Sequence, residues 1–292
     1  MDESKKRKQI KAYFFPYDKP EEPEKDSLGV VGILAGIGIG VVGISLLGGE
    51  NACAGVIVFF LGIGALIGGI QANKEQNSKQ AEYEESLKQY SKRLERWDLT
   101  ESDLGNEPTG QQIDAWLRED LASIEEDALT HKLDLVRDQL KRDPLVIYGP
   151  LYWETYGIPD EELVYVKEKT TNILRFSCYR VVVVFLTETR VATYSCNFNF
   201  LRNARVGEKT VEYLYQDIVS VSTEEMSTNY SLPAGKTLQR AKVFRLAVAS
   251  SDTIEVVVNS PQLKDILEGT LNLEDQDKNV QIIREMLRTK KG

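Results

Sequence analysis

The feature that most constrains this chain is a run of 20 residues without a charge, from Leu28 to Leu47. An α-helix of this length extends about 30 Å, which is the hydrocarbon thickness of a bilayer. A second uncharged run, Ala52 to Ile70, follows after a short loop. Two neighbouring runs of this kind predict a two-helix transmembrane hairpin over residues 28–71, and a buried hairpin of a water-soluble protein is the weaker alternative.

The charges on either side of the two runs indicate the orientation of such a hairpin. Lysine and arginine precede the first run and follow the second, whereas the loop Gly48–Asn51 contains neither. Basic flanks are retained on the cytoplasmic side of a membrane. The sequence therefore predicts a multi-pass protein of the cell (inner) membrane, with residues 1–27 as a cytoplasmic N-terminal tail and with both chain termini in the cytoplasm.

Glycine recurs at four-residue intervals inside both runs. The first run contains Gly32, Gly36 and Gly40, and the second contains Gly64 and Gly68. Residues four apart lie on one helix face, where small residues let two backbones approach closely. These glycines are predicted to pack helices, either within one hairpin or between the hairpins of different subunits. The pattern resembles the glycine-zipper segments of oligomeric membrane proteins, some of which are channels.

Residues 72–144 are predicted to form a helical stalk followed by an acidic helical region, because the composition becomes polar beyond Gln71. The stalk carries apolar residues spaced four and three apart, as in a coiled-coil seam of two heptads: Tyr83, Leu87, Tyr90, Leu94 and Trp97. This stalk seam either joins a partner helix or packs against the rest of the chain.

The acidic region has a helix start at Thr109, and its apolar periodicity continues until Asp143 and Pro144 stop it. Carboxylates crowd the face opposite the apolar residues: Asp114, Glu119, Asp120, Glu125, Glu126 and Asp127. A solvated face accounts for this pattern more simply than a metal site does. His131, the single histidine, is predicted to lie on the helix surface.

From Leu145 onward, apolar and polar residues alternate, as in half-buried strands. Residues 145–292 are therefore predicted to form an α+β soluble domain of antiparallel strands. The predicted strands are Leu163–Val166, Arg180–Leu186, Arg190–Phe200, Thr210–Tyr215, Ile218–Ser222, Lys242–Ala249 and Thr253–Val258. An amphipathic helix, Asp277 to Thr289, is predicted to close the chain.

Two short motifs of this domain resemble those of bacterial pleckstrin-homology-like (PH-like) and GRAM-type domains. One is a turn that contains Thr187 and Arg190, after a valine-rich strand. The other is a Y-x-D-I-x-S-V pattern, whose matching residues are Tyr215, Asp217, Ile218, Ser220 and Val221. The resemblance covers roughly residues 160–290. It implies an antiparallel PH-like β-barrel or sandwich with a C-terminal helix.

The resemblance also implies a binding or scaffolding module, since these folds rarely catalyse. Some relatives hold inositol phosphates with basic residues between the first two strands. Lys167, Lys169 and Arg175 fall near that place and are a candidate weak site for an anionic ligand. Glu168 dilutes their charge, and the alternative is that all three are solvated loop side chains.

Composition and motifs argue against several functions. The chain has 36 Lys+Arg against 45 Asp+Glu without a broad basic segment, so nucleic acid is not an expected partner. Three cysteines and one histidine are too few for a usual zinc site, and Cys178 and Cys196 are predicted to be small buried hydrophobes. No phosphate loop or nucleophile elbow is present, so no enzyme, cofactor, metal or catalytic residue is predicted.

The leading prediction is a membrane-anchored, non-enzymatic scaffold or sensor. Its cytoplasmic PH-like domain would bind a protein partner within a homo-oligomer or a membrane complex. The alternative is a glycine-zipper effector of the defence or toxin type, which forms pores or disrupts membranes when its soluble domain is triggered. The expected partners are the lipid bilayer, further copies of the chain and an unidentified protein.

Overall fold

The structure is a computed structural model that describes residues 2–23, 28–46, 52–105, 107–151, 157–231, 237–249, 253–260, 262–271 and 276–291. The chain divides into two compact units. Unit 1 combines Met1–Pro16 with Leu99–Gly292, and unit 2 is the intervening segment Tyr17–Asp98. The described residues therefore form a helical N-terminal part and a β-rich C-terminal part. The segment before Tyr17 belongs to the unit that contains the strands.

Helices and strands are numbered in chain order. The helices are α1 (Glu3–Phe14), α2 (Leu28–Leu46), α3 (Ala52–Arg96), α4 (Glu101–Leu104), α5 (Gly110–Asp127), α6 (Gln262–Leu267) and α7 (Gln276–Lys291). The strands are β1 (Leu145–Pro150), β2 (Tyr165–Lys167), β3 (Ile173–Phe176), β4 (Cys178–Leu186), β5 (Arg190–Asn199), β6 (Ala204–Leu214), β7 (Ile218–Ser231), β8 (Thr237–Val248), β9 (Thr253–Asn259) and β10 (Thr270–Leu271).

Unit 2 is a helical hairpin of α2 and α3, which contact each other extensively. Gly36 allows the closest approach of the two backbones. A methyl group built on Gly36 would lie 2.5 Å from the backbone nitrogen of Leu66 and 2.8 Å from the carbonyl oxygen of Gly62. Only glycine fits at such a distance, so Gly36 sets how closely α2 and α3 pack.

The prediction of a transmembrane hairpin is wrong, because the described helices do not meet the requirements of length and apolar character. Across the described ranges, no helix combines the length and the apolar character that crossing a bilayer requires. The second apolar run belongs to α3, which continues without a break through a charged segment to Arg96. The predicted multi-pass location in the inner membrane, with both termini cytoplasmic, is corrected by the same finding. The predicted connecting loop, Gly48–Asn51, lies outside the described residues.

The strands of unit 1 form three small sheets. The largest has the order β1-β4-β5-β6 and is antiparallel throughout. The second has the order β7-β8-β9 and is also antiparallel. The third, β10-β3-β2, joins β10 to β3 in parallel. Within the described strands, β6 and β7 are each paired on one side only, so each is an edge of its sheet.

One apolar core joins the first two sheets and α7. It includes Val182 and Val184 of β4, Phe244 and Leu246 of β8, and Ile283 of α7. The prediction of a PH-like β-barrel is wrong, because the described strands form three separate sheets and do not close. Consecutive strands β6 and β7 belong to different sheets, and the 3₁₀ turn Tyr215–Asp217 lies between them. The chain therefore changes sheets at that turn.

The two motifs that carry the resemblance contact each other. Thr187 closes the turn between β4 and β5, because its hydroxyl donates to the carbonyl of Arg190 at 2.9 Å and accepts from the Arg190 N–H at 3.1 Å. The Tyr215 hydroxyl donates to the Thr187 carbonyl at 2.8 Å. These bonds connect the β4–β5 turn to the point where the chain enters the second sheet.

Helix α1, predicted to be part of a tail, packs inside unit 1 through buried charges. The Asp120 carboxylate of α5 accepts two hydrogen bonds of 2.7 Å from the Arg7 guanidinium and one of 2.8 Å from the Lys6 ammonium. Arg7 also donates to the carbonyl of Phe200 at 2.9 Å. The ring of Phe14 meets the ring of Phe200 edge-on, with centroids 6.3 Å apart. Helix α1 is thus held by both polar and apolar contacts.

Helix α5 starts as predicted and ends earlier. Its capping box joins Thr109 and Gln112: the Thr109 N–H donates to the Gln112 side chain at 2.8 Å, and the Gln112 N–H donates to the Thr109 hydroxyl at 3.3 Å. The helix ends at Asp127 in a π-helical turn. Asp134 then has a φ of 50°, a left-handed conformation that separates α5 and its π-helical turn from the short 3₁₀ helix Arg137–Gln139.

Replacing Gly36 by alanine is expected to weaken the α2–α3 contact, because the new methyl group collides with the α3 backbone. Overpacking of this kind costs about 1–3 kcal/mol. Gly38 lies on the same helix with nothing within 4 Å of an added Cβ. Gly38→Ala should therefore be neutral or stabilise α2 by up to about 1 kcal/mol. Hydrogen exchange of the α2 amides measures both changes, and equal protection in the two variants would contradict the assignment.

Replacing Asp120 by alanine is expected to destabilise unit 1 by about 3–5 kcal/mol, since it removes the buried anion that two buried cations share. The side chains of Lys6, Arg7 and Asp120 are 8%, 10% and 6% exposed. Glu119 is the matched control, because it also binds Lys6 but its side chain is 64% exposed. Glu119→Ala should cost at most about 1 kcal/mol. Urea unfolding followed by circular dichroism distinguishes the two, and similar losses would refute the role of burial.

Candidate functional site

The glycines predicted to pack helices occupy different environments. Gly32, Gly36 and Gly40 lie in α2, and Gly36 is buried at the contact with α3. Gly64 and Gly68 lie in α3 but are exposed, and a methyl group on either would meet no atom within 4 Å. The structure thus brings Gly36 into the hairpin contact and leaves Gly64 and Gly68 on an open face.

The hairpin also exposes large apolar side chains. Those more than half exposed are Val31, Leu34, Ile37, Val41, Val42, Phe60, Leu61, Ile67 and Ile70. Apolar surface in such quantity is typical of an interaction surface.

The stalk seam follows one side of α3 and becomes more buried towards the end of the helix. Tyr83 and Leu87 are half-buried, whereas Tyr90, Leu94 and Trp97 are buried. Near this end, the guanidinium of Arg93 lies over the ring of Tyr17, 4.2 Å from its centroid. This distance is that of a cation–π contact, which connects the end of α3 to the start of unit 2.

Arg175, one of the three predicted anion-binding residues, is buried and already bound by carboxylates. Its guanidinium donates to both oxygens of Asp114, at 2.7 and 2.8 Å, and to Glu168 at 3.2 Å. Burial alone would lower the pKa of Arg175, but the hydrogen bonds and charge of Asp114 outweigh it and raise that pKa above its ordinary value. The Arg175 guanidinium is therefore one member of an internal ion pair.

The two lysines of the predicted anion site do not join Arg175 in an open basic cluster. The Lys167 ammonium binds Glu268 at 3.0 Å. Lys169 is exposed in the turn between β2 and β3. The structure therefore does not bring the three basic residues together around a common ligand position.

The buried thiols of the described strands are poorly suited to nucleophilic chemistry. Burial raises the pKa of Cys178 to about 12 and that of Cys196 to about 11. The thiolate is the reactive form of cysteine, so both side chains remain protonated near neutral pH.

A groove between β7 and α7 is the candidate functional site. Its volume is about 550 Å³ and it is open to solvent. One wall is the first part of β7 and the other is the stretch of α7 from Gln281 to Arg288. Its lining residues are Ile218, Val219, Ser220, Val221, Gln281, Arg284, Leu287 and Arg288. Val219 is 66% exposed, unusually high for a large apolar side chain on a strand.

Hydrogen-bonding groups of the β7 backbone face this groove. The Arg284 Nε–H donates to the carbonyl of Val221 at 3.2 Å, so this carbonyl points away from β8. In an antiparallel pair, the N–H and C=O of one residue point to the same side, and the side alternates along the strand. Val221 and Thr223 therefore present their backbone groups to the unpaired edge of β7, while Ser222 presents its own to β8.

The charge of the groove is positive. The described residues of the lining include two arginines and no carboxylate. Among the described residues, no ion pair joins Arg284 or Arg288 to an acidic side chain. Another edge strand, β6, differs because charged residues such as Glu208, Lys209 and Glu212 line its length. Charges protect an edge strand from pairing with another chain, and the Ile218–Thr223 stretch of β7 has none.

Sequence reasoning located both walls of the groove but not the groove itself. It predicted a strand at Ile218–Ser222 and a helix at Asp277–Thr289 without indicating that they lie side by side. Arg284 and Arg288 were missed, because neither lies near the predicted anion site. The available signal was the absence of charge in the Ile218–Thr223 strand, beside strands that carry several charges.

The chain has no significant match to any family model, curated protein or solved structure. Its function is therefore inferred from the groove.

Proposed function

We propose that this chain is a non-enzymatic binding module that holds a segment of a partner protein in the groove between β7 and α7. The observation that carries the proposal is the uncharged edge of β7 beside two arginines that bind no carboxylate among the described residues. An unpaired strand edge offers backbone donors and acceptors to another polypeptide.

Both walls of the groove are anchored in the apolar core of unit 1. Helix α7 buries Val280, Ile283 and Leu287 in the core that it shares with the first two sheets. Ile218 of β7 is also buried there, with 1% of its surface exposed. A binding surface held by a packed core needs little ordering when a partner arrives, which favours affinity.

The side chains of the groove favour binding over catalysis. Among the described residues, the ionisable groups of its lining are the guanidinium groups of Arg284 and Arg288, which donate hydrogen bonds and accept none. General acid–base catalysis requires a group whose pKa lies near the working pH. The groove therefore supplies charge and hydrogen bonds rather than proton transfer.

Selection of random peptides displayed on phage against the full chain tests the proposal. Val219→Lys should weaken the binding of selected peptides at least about tenfold, equivalent to about 1.4 kcal/mol, because it inserts a cation at the edge where the segment lies. Leu214→Lys is the matched control, since Leu214 is also an exposed apolar residue, 48% exposed, but lies outside the groove.

The control variant should bind the selected peptides as the unmodified chain does. Circular dichroism of both variants checks that the fold is kept. Failure to enrich any peptide would refute the proposal, and so would equal loss of binding in the two variants.

A further inference from the structure

Building on the proposed function, we propose that the segment held in the groove is β7 of a second copy of this chain. The two β7 strands pair antiparallel, and the two sheets β7-β8-β9 join into one sheet of six strands. The sequence and register of β7 and the charge of the groove carry this inference.

The sequence of β7 is suited to antiparallel pairing with a second copy of the same strand. Its first six residues, Ile218–Thr223, are uncharged and rich in β-branched residues, and Glu224 and Glu225 follow directly. The groove beside Ile218–Val221 contributes two arginines. One end of the pairing stretch therefore lies beside basic groups, and the other end is acidic. An antiparallel arrangement of two identical strands brings the acidic end of each against the basic groove of the other.

The register follows from the direction of the backbone groups. Val221 and Thr223 both present N–H and C=O outwards, so a two-fold axis at Ser222 pairs Val221 with Thr223 of the partner subunit. These two residues exchange both of their hydrogen bonds, as the antiparallel pattern requires. A C₂ interface of this kind uses the same surface on both copies. Two residues further on, the same register brings Glu225 of the partner subunit beside Val219, where β7 has a bulge in its pairing with β8.

Glu225 reaches the correct side of the sheet. Residues two apart on a strand share a face, so Glu225 lies on the same face as Val221 and Thr223. The side chain of Val221 packs against the core that contains α7, which defines that face as the one bearing Arg284 and Arg288. Directly paired residues also share a face. Glu225 of the partner subunit therefore faces the two arginines.

The groups needed for this contact are weakly engaged within one copy. Glu225 is 3.7 Å from Arg240, and the two side chains are 49% and 63% exposed. An exposed pair at this distance contributes little to stability. Within one copy, Arg284 donates a hydrogen bond to the Val221 carbonyl. In the dimer, the N–H of Thr223 of the partner subunit donates to this carbonyl instead. The guanidinium released by this exchange is then available to the incoming glutamate.

Charge reversal with rescue, followed by analytical ultracentrifugation of the full chain, tests the inference. The unmodified chain should show a concentration-dependent monomer–dimer equilibrium. Glu225→Arg alone should weaken association at least about tenfold, and so should the double variant Arg284→Glu with Arg288→Glu, because each places like charges together. An equimolar mixture of the two variants should restore the dimer, since opposite charges meet again at both of its grooves.

Glu224→Arg is the matched control, because Glu224 lies next to Glu225 but on the other face of the sheet. It should change the dimer affinity much less than Glu225→Arg does. Circular dichroism of each variant confirms that the fold is kept.

Three results would overturn the inference: a monomer at every concentration, a dimer that survives both charge-reversed variants, or a mixture that fails to reassemble. A surviving dimer would place self-association elsewhere, for example on the apolar face of the α2–α3 hairpin. The peptide selection described above is independent of all three results. A monomer that still binds selected peptides at the groove would overturn self-pairing and retain the proposed binding function.

Discussion

The contact on which unit 1 depends is the buried Asp120 carboxylate between Lys6 and Arg7. Two cations and one anion removed from water are stable only when their charges and hydrogen bonds are satisfied. Asp120 binds both cations, and Arg7 gives a further bond to the carbonyl of Phe200. Through these bonds, the first helix of the chain, helix α5 and the end of β5 are held together. Glu3 extends the same network, because it binds Arg7 from the preceding turn.

Local patterns in the sequence predicted the elements that short-range rules govern. The strand predicted at Arg190–Phe200 is β5, Arg190–Asn199, and the helix predicted at Asp277–Thr289 lies within α7, Gln276–Lys291. The Thr109 helix start is also present, because a capping box is formed by residues three apart. These features depend on neighbours in the chain, so the sequence displays them directly.

Long-range pairings were not predictable from the same patterns. Asp114 and Asp120 belong to an acidic stripe that was predicted to face solvent, yet both bind buried cations. The partners of Asp120 precede it by more than 110 residues, and Arg175, the partner of Asp114, follows it by 61 residues. A carboxylate on a helix looks alike in sequence whether its partner is water or a distant arginine. The barrel prediction failed for a similar reason, since strand spacing does not show where a chain changes sheets.

The position of α1 at the start of the chain has a consequence for the order of folding during synthesis. Arg7 binds Asp120 and Phe200, which lie 113 and 193 residues later. At about 5–20 residues per second, tens of seconds pass between the synthesis of Arg7 and that of its last partner. The α2–α3 hairpin has all its own residues much earlier. The helical unit is therefore the first to have all of its residues outside the ribosome. The cations of α1 stay in water until the β-rich unit is complete.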